Sequence, residues 1–477
     1  MDVFMNEELM EADLVTDDSY TVFDLDCRLP SGQHIAFLTV IGSKGNVVRI
    51  RQIERRAESV TMYNTTTLIA STQRGVYLWN YATDTLEKQP FEADTHALVY
   101  LESEDKFFGT FPDKDAVESH NPNTVCTFDG KTGLTTFTDT SGRTDGWAWS
   151  DEDAHMNYIS IGGDAVYISE RQKSALKKVN RRTSEVEWNL GGRNNEFEIT
   201  NIDGNLVDIR NKIKDQTQPW NHQHKFQHID DKYFTLFDNN IGANHAFIDK
   251  SWGKDSRMVV LYVDQAEKKA WEVFSFACGD RSRSYGGADI LPSGNVLGSS
   301  YVDWVFPQVE DYQYHQNIWE VTAKGDIAWR VGFKGLNIVN PSDTKNPYPH
   351  YFIAKQAPDA PPDLNIDIMP VGWNIYTVER AYPKPVVSQP CAYKMDDNVV
   401  LLFNPFNTVR TQEDKKGTAI LTPTGKSDIL AKKEFMFHKS WLPRPTAMLM
   451  PEDAKAESSL TLIVANSWNE FAVVELG

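Results

Sequence analysis

Between Trp220 and Asp238 the chain reads WNHQHKFQHIDDKYFTLFD, and three of its 11 histidines fall within seven of those residues. Imidazoles are the side chains best suited to act as bases, nucleophiles or metal ligands near neutral pH. If the segment runs as a regular strand, His222, His224, Phe226 and His228 share one face, because successive side chains alternate. The same residues could also be ordinary hydrogen-bonded or surface histidines. A metal shared by His222 and His224 would need further ligands. The rest of the sequence offers no second ligand-spaced motif, so no metal or other cofactor is expected. A second candidate is His155-Met156-Asn157 at the entrance to a strand pair, a pattern that is ordinary when taken alone.

The elements that must carry these residues read as β-structure. One pattern recurs: a strand, a polar turn rich in Asp, Asn, Lys, Gly or Thr, and a second strand often bearing Trp or Phe. It begins at Val76, Val125, Leu176, Met258, Ile318 and Thr418, at intervals of 49, 51, 82, 60 and 100 residues. Period-two alternation around such turns predicts antiparallel hairpins. The shorter intervals match one blade of a propeller, and the longer ones leave room for insertions. The sequence therefore predicts an all-β fold, a six-bladed β-propeller with loop insertions, formed as a single domain over residues 1–477. Strands near Tyr20–Leu25 and Ile35–Val40 are expected to close the last blade beside Phe471–Leu476. Ten of the 22 prolines lie between Pro341 and Pro390, which predicts a long excursion over about 341–391. A two-domain β protein is the alternative.

Bulk properties narrow the function. With 48 basic against 67 acidic residues the formal charge is -19, which argues against nucleic acid as a partner. An anionic substrate would need a local group of Arg, Lys or His acting against that field. No apolar run is long enough to span a membrane. Cys27, Cys126, Cys278 and Cys391 form no CxxC pair. The acidic start lacks the features of a signal peptide, so a cytoplasmic protein is expected, or a secreted or periplasmic one if a leader has been removed. Gly425-Lys426-Ser427 looks like the end of a phosphate-binding loop, but Ile420 stands where its first glycine belongs.

From His155 onward further motifs follow in order. Ser169-Glu170-Arg171 and Trp188-Asn189-Leu190-Gly191-Gly192 are followed by Gln227-His228-Ile229-Asp230 and Leu236-Phe237-Asp238-Asn239. Ser256-Arg257 then heads a strand, and a turn Leu291-Pro292-Ser293-Gly294-Asn295 comes next. In this order the set resembles the motifs of the arylsulfotransferase family, over about residues 150–335. The resemblance implies a six-bladed propeller that moves a sulfuryl group from one phenolic ester to another phenol without a nucleotide donor. It also implies a small aromatic substrate, with a channel histidine taking the group covalently. Carried over by position, His155, His228 and Arg257 become the catalytic candidates, with His224 as the alternative to His228. Asn157, Arg171, Asp238, Asn239, Tyr301, Asp303, Trp304 and His315 become candidates for substrate binding. Where bacterial members place their nucleophilic histidine, this chain has Tyr301, Asp303 and Trp304, with His315 the nearest histidine. Two other readings stay open. One is a relative that performs a different reaction on an aromatic substrate, and the other is a propeller that binds a ligand or protein without catalysis.

Overall fold

The computed structural model describes the chain except residues 11–18, 29–33, 73–74, 94–95, 111–124, 130–134, 139–154, 210–216, 243–245, 303–312, 335–371, 396–397 and a few single positions. The regular structure among the described residues is β, antiparallel except where Glu198–Thr200 runs parallel to Lys269–Ala277, with one short helix, Glu452–Ala456.

Six of the sheets follow one another in space. Sheet one holds Ala57–Asn64, Thr67–Thr72, Gly75–Asn80 and Thr85–Lys88. Sheet two starts at Val99–Leu101, sheet three at Met156–Gly162, sheet four at His224–His228 and sheet five at Gly287–Ile290. In sheet six, Gly372–Asn374 and Val378–Ala381 pair with Tyr20–Arg28, which leads to His34–Gly42 and Val47–Ile53. Each sheet packs on the next, and the sixth packs on the first.

A hydrophobic cluster fills each of the six junctions. Sheets one and two meet through Ile69, Val76, Leu98 and Phe107, and sheets two and three through Phe108, Ile159 and Ile168. Leu176, Trp188, Phe234 and Val259 join three to four, while Phe237, Met258, Ala288 and Trp319 join four to five. Ile318, Trp329, Phe23 and Val378 join five to six, and Val22, Leu38, Val60 and Trp79 return six to one. A sheet with two apolar faces is stable only when both are covered, and this closed order covers both faces of all six.

Five of the six hairpins read from the sequence are outer strands of sheets one to five. The hairpin from Thr418 lies elsewhere. Residues 386–476 form three further sheets, two of which enclose their own core of Leu401, Phe403, Leu421, Phe437, Met448 and Leu462. The expected closure is also corrected. Phe471–Leu476 pairs with its neighbour Leu460–Asn466 across a local turn in which Asn466 Oδ1 accepts from the N–H groups of Trp468 and Glu470. The N-terminal strands instead join residues 372–381, which are therefore inner strands and no part of an excursion. Residues 341–371 lie outside the described residues. Asp2–Met5 adds a fifth strand to the outside of sheet five.

Candidate functional site

One end of the ring gathers a side chain from the start of each inner strand. Arg56 precedes Ala57–Asn64, His96 precedes Val99–Leu101, and His155 precedes Met156–Gly162. His224 opens its own strand, and Tyr285 and Tyr376 lie two residues before Gly287–Ile290 and Val378–Ala381. The rings of His96 and His155 are 5.0 Å apart, and His96 lies 5.8 Å from Tyr376. His224 is 5.8 Å from Tyr376, 6.0 Å from Tyr285 and 6.4 Å from His222. Tyr285 and Tyr376 are 5.0 Å apart, and the Arg56 guanidinium stands 4.6 Å over the Tyr285 ring. Tyr301 and His315 extend the row, at 5.7 Å from Tyr285 and 6.1 Å from Tyr301 respectively.

The backbone is bent to bring these groups together. His155, His222 and Tyr285 have φ of 50°, 60° and 65°, a region that non-glycine residues occupy at a cost. Surrounding hydrogen bonds hold them there. Trp220 Nε1 donates to the Ser174 carbonyl, the His222 N–H to Ser174 Oγ, and Asn157 Nδ2 to the Gln223 carbonyl at 2.8 Å. Tyr376 donates its hydroxyl to the Asn157 carbonyl, so Asn157 ties sheet three to both neighbours of His224. The Arg171 N–H donates to the His155 carbonyl, placing Arg171 beside the same cluster.

His224 is fully buried. Its Nδ1 lies 2.7 Å from Asn239 Oδ1, and its Nε2 has no hydrogen-bond partner among the described residues. Burial, and then the positive charge of Arg171, hold its pKa well below the usual imidazole range. Asp24, whose carboxylate accepts from the N–H groups of Tyr376 and Thr377, is pushed up to about 7 by burial.

His228 does not join this cluster. Lys225 adopts φ 46°, and an extra residue between His224 and Gln227 shifts the register, so His224 pairs with Phe237 while His228 pairs with Phe234. A bulge of one residue reverses the alternation, which puts the two histidines on opposite faces. The single-face row expected from the sequence is thereby corrected. His228 stacks on Tyr167 at 4.2 Å, with its Nδ1 2.9 Å from Lys439 Nζ and its Nε2 3.6 Å from Asp231. Burial, reinforced by Lys439, brings it down to about 3, and burial lowers Lys439 to about 8. Lys225 and Gln227 enter a buried network in which Lys225 and Arg410 share Asp289 and Glu379.

Arg257 is also outside the cluster. Its Nε donates to Asp238, Nη1 to Glu272 and Ser275, and Nη2 to Glu272 and the Pro219 carbonyl, while Trp252 lies 3.5 Å from the guanidinium carbon. All five N–H donors are used, so none remains for a substrate anion. Asp238 Oδ1 accepts from the N–H groups of Asn221 and Asn240. The Asp238–Arg257 pair thus holds the turn that leads into His222 and His224. Tyr301 is tied to Ser282 through its main chain. Asp303 and Trp304 lie outside the described residues. Of the residues singled out from the sequence, the structure groups His155, His224, Arg171, Asn157, Asn239, Tyr301 and His315. Arg56, His96, Tyr285 and Tyr376 were missed, and their common mark is a position just before an inner strand.

His315 is buried, and burial pulls it to about 4 against an opposing contribution from the Trp373 main chain. Gly372 lies flat on this ring, where a Cβ would come within 2.5 Å of Nδ1. Because the folded value lies below the unfolded one, the unfolded chain binds more protons between about pH 4 and 6.5, and stability falls as pH drops through that window. Asp24 and Asp280, both raised by burial, act in the opposite sense, so a variant isolates the histidine. His315→Gln should lose less stability than the parent between pH 7 and 4, by about 3 kcal/mol, in chemical denaturation at each pH. Equal losses in both proteins would refute this.

The arylsulfotransferase (ASST) family model matches residues 57–328, from the first strand of sheet one to the start of Ile327–Lys334 in sheet five, and the chain belongs to that family. No curated protein matches the sequence. Among solved structures, TolB from Acinetobacter baumannii is similar over 67% of this chain and 65% of its own, at 10% identity and a TM-score of 0.36. This chain thus spans just under two thirds of TolB. The N-terminal domain of Nup159 is similar over 96% of each chain, at 7% identity and a TM-score of 0.30. The extracellular domain of BT4673 from B. thetaiotaomicron is similar over all of this chain and 57% of its own, at 10% identity and a TM-score of 0.32. Likenesses this loose carry no argument about function. Among the described residues, no helix is long and apolar enough to cross a membrane, and no three metal-capable side chains come together.

Proposed function

We propose that the ring is a six-bladed propeller and that it catalyses transfer of a sulfuryl group between phenols at the His224 cluster. The observation that carries this reading is the buried His224 imidazole, with one ring nitrogen open among cationic and aromatic side chains. In the first step the lone pair of His224 attacks sulfur, a nitrogen–sulfur bond forms, and the ester S–O bond breaks. The aryl oxygen leaves with the bonding pair and takes up a proton. In the second step the oxygen of an acceptor phenol attacks sulfur and loses its proton, and the nitrogen–sulfur pair returns to the imidazole. Arg171, with N–H groups of the neighbouring imidazoles, would hold the sulfuryl oxygens as charge shifts onto them. Tyr285 and Tyr376 would form the aromatic wall.

Because one small site receives donor and acceptor in turn, the reaction needs no nucleotide donor. Incubation with p-nitrophenyl sulfate and phenol is expected to release p-nitrophenol together with phenyl sulfate. If no acceptor-dependent release occurs with a panel of aryl sulfates, the enzyme reading fails and a ligand-binding role replaces it.

A further inference from the structure

We propose that Asn239 is a positioning residue that fixes which nitrogen of His224 faces the substrate. The inference rests on the sulfuryl-transfer reading and adds to it the atom and the device that presents it. The amide of Asn239 is fully buried, and its Nδ2 donates to two main-chain carbonyls, those of Ser282 and Tyr285, each at 3.0 Å. Carbonyls only accept, so the amide nitrogen must face them and Oδ1 must face His224. Oδ1 in turn only accepts, so the proton of the neutral imidazole sits on Nδ1, 2.7 Å away. The lone pair is thereby on Nε2, the atom without a partner among the described residues.

The same amide joins two sheets. Asn239 follows the Tyr233–Asp238 strand of sheet four, while Ser282 and Tyr285 belong to the segment entering sheet five. Ser256 Oγ donates to the Asn239 carbonyl, and the Ser282 N–H donates to Ser256 Oγ, which locks the amide in place. Tyr285, at φ 65°, is therefore pinned by the group that orients His224.

A neutral amide suits this chemistry better than a carboxylate. An Asp in this position would favour the protonated imidazole, and protonation removes the attacking lone pair. When Nε2 carries the sulfuryl group the ring becomes cationic. A neutral acceptor on Nδ1–H then supports that charge without making the adduct too stable to react on.

The test is nitrogen-15 NMR of the histidine side chains in the resting protein, with His224→Gln used to assign the signal. The expected result is a neutral His224 protonated at Nδ1 across pH 5 to 8. In Asn239→Asp the His224 pKa should rise by at least about one unit, with the acid limb of kcat/KM rising in parallel. An Nε2–H tautomer in the parent protein would overturn the proposal, as would an Asp variant whose His224 titration is unchanged. The parent spectrum decides the matter even if the variant does not fold. If the Nδ1–H tautomer is found but no aryl sulfate is turned over, the sulfuryl-transfer reading fails while the Asn239–His224 pairing stands.

Discussion

Under the proposed function, replacing His224 with Gln is expected to lower aryl sulfate turnover by about 10³-fold or more, the scale on which loss of a group acting directly in the chemistry is felt. Gln keeps the volume and polarity of the site but offers no aromatic nitrogen lone pair. The side chains proposed to bind the substrate, Arg171, His96, His155 and the two tyrosines, would remain in place, so donor affinity should change far less than kcat. His228→Ala provides the contrast. Its ring stacks on Tyr167 and its Nδ1 faces Lys439, on the opposite face of the strand from His224. That variant should lose packing and stability while keeping turnover within about tenfold, since no step of the chemistry reaches it. Steady-state kinetics with p-nitrophenyl sulfate distinguishes the two. Equal losses in both variants would contradict the assignment.

The largest stability effect is expected at Arg257. Its guanidinium pairs with both Asp238 and Glu272 inside the protein, and Arg257→Met would leave both carboxylates buried without their shared counter-ion. Breaking such a pair from one side costs roughly 3–5 kcal/mol. Thermal or chemical denaturation should show a loss of that size, and Arg257→Lys should recover only part of it because an ammonium cannot reproduce the fork. A loss under about 1 kcal/mol would mean that water or a rearranged neighbour takes over the two acids. Since Asp238 also anchors Asn221, the surviving folded fraction of the Met variant should show weaker turnover through a looser His222–His224 segment.

Much of the architecture can be read from the hairpins, because turn residues and period-two alternation are local. Five of the six belong to consecutive sheets of the ring. The sixth is misleading for a physical reason: the hairpin from Thr418 has the same local pattern but buries its apolar face against Leu401, Phe403 and Met448. Partner choice is a matter of long-range packing. The hairpin that serves sheet six, His34–Gly42 with Val47–Ile53, carries the same kind of signal around Gly45. For the candidate site, the histidine-rich segment does supply His222 and His224 to the buried cluster, but strand alternation could not show the bulge at Lys225. Nothing local distinguishes His224 from His228 until that extra residue reverses the faces. Arg257 likewise has the residue type of an anion binder, and only its five satisfied donors show it to be a clamp. Arg56, His96, Tyr285 and Tyr376 are far apart in sequence, and ring closure alone brings them together.

The central claim is that His224 carries the sulfuryl group between donor and acceptor. Its most direct test is mass spectrometry of the protein after brief exposure to p-nitrophenyl sulfate without acceptor, followed by peptide mapping at a pH that preserves nitrogen–sulfur bonds. The account predicts one sulfuryl adduct on the peptide containing His224, discharged on addition of phenol and missing in His224→Gln. An adduct on His315, His96 or His155 that persists in that variant, or sustained transfer with no adduct at any time, would contradict it.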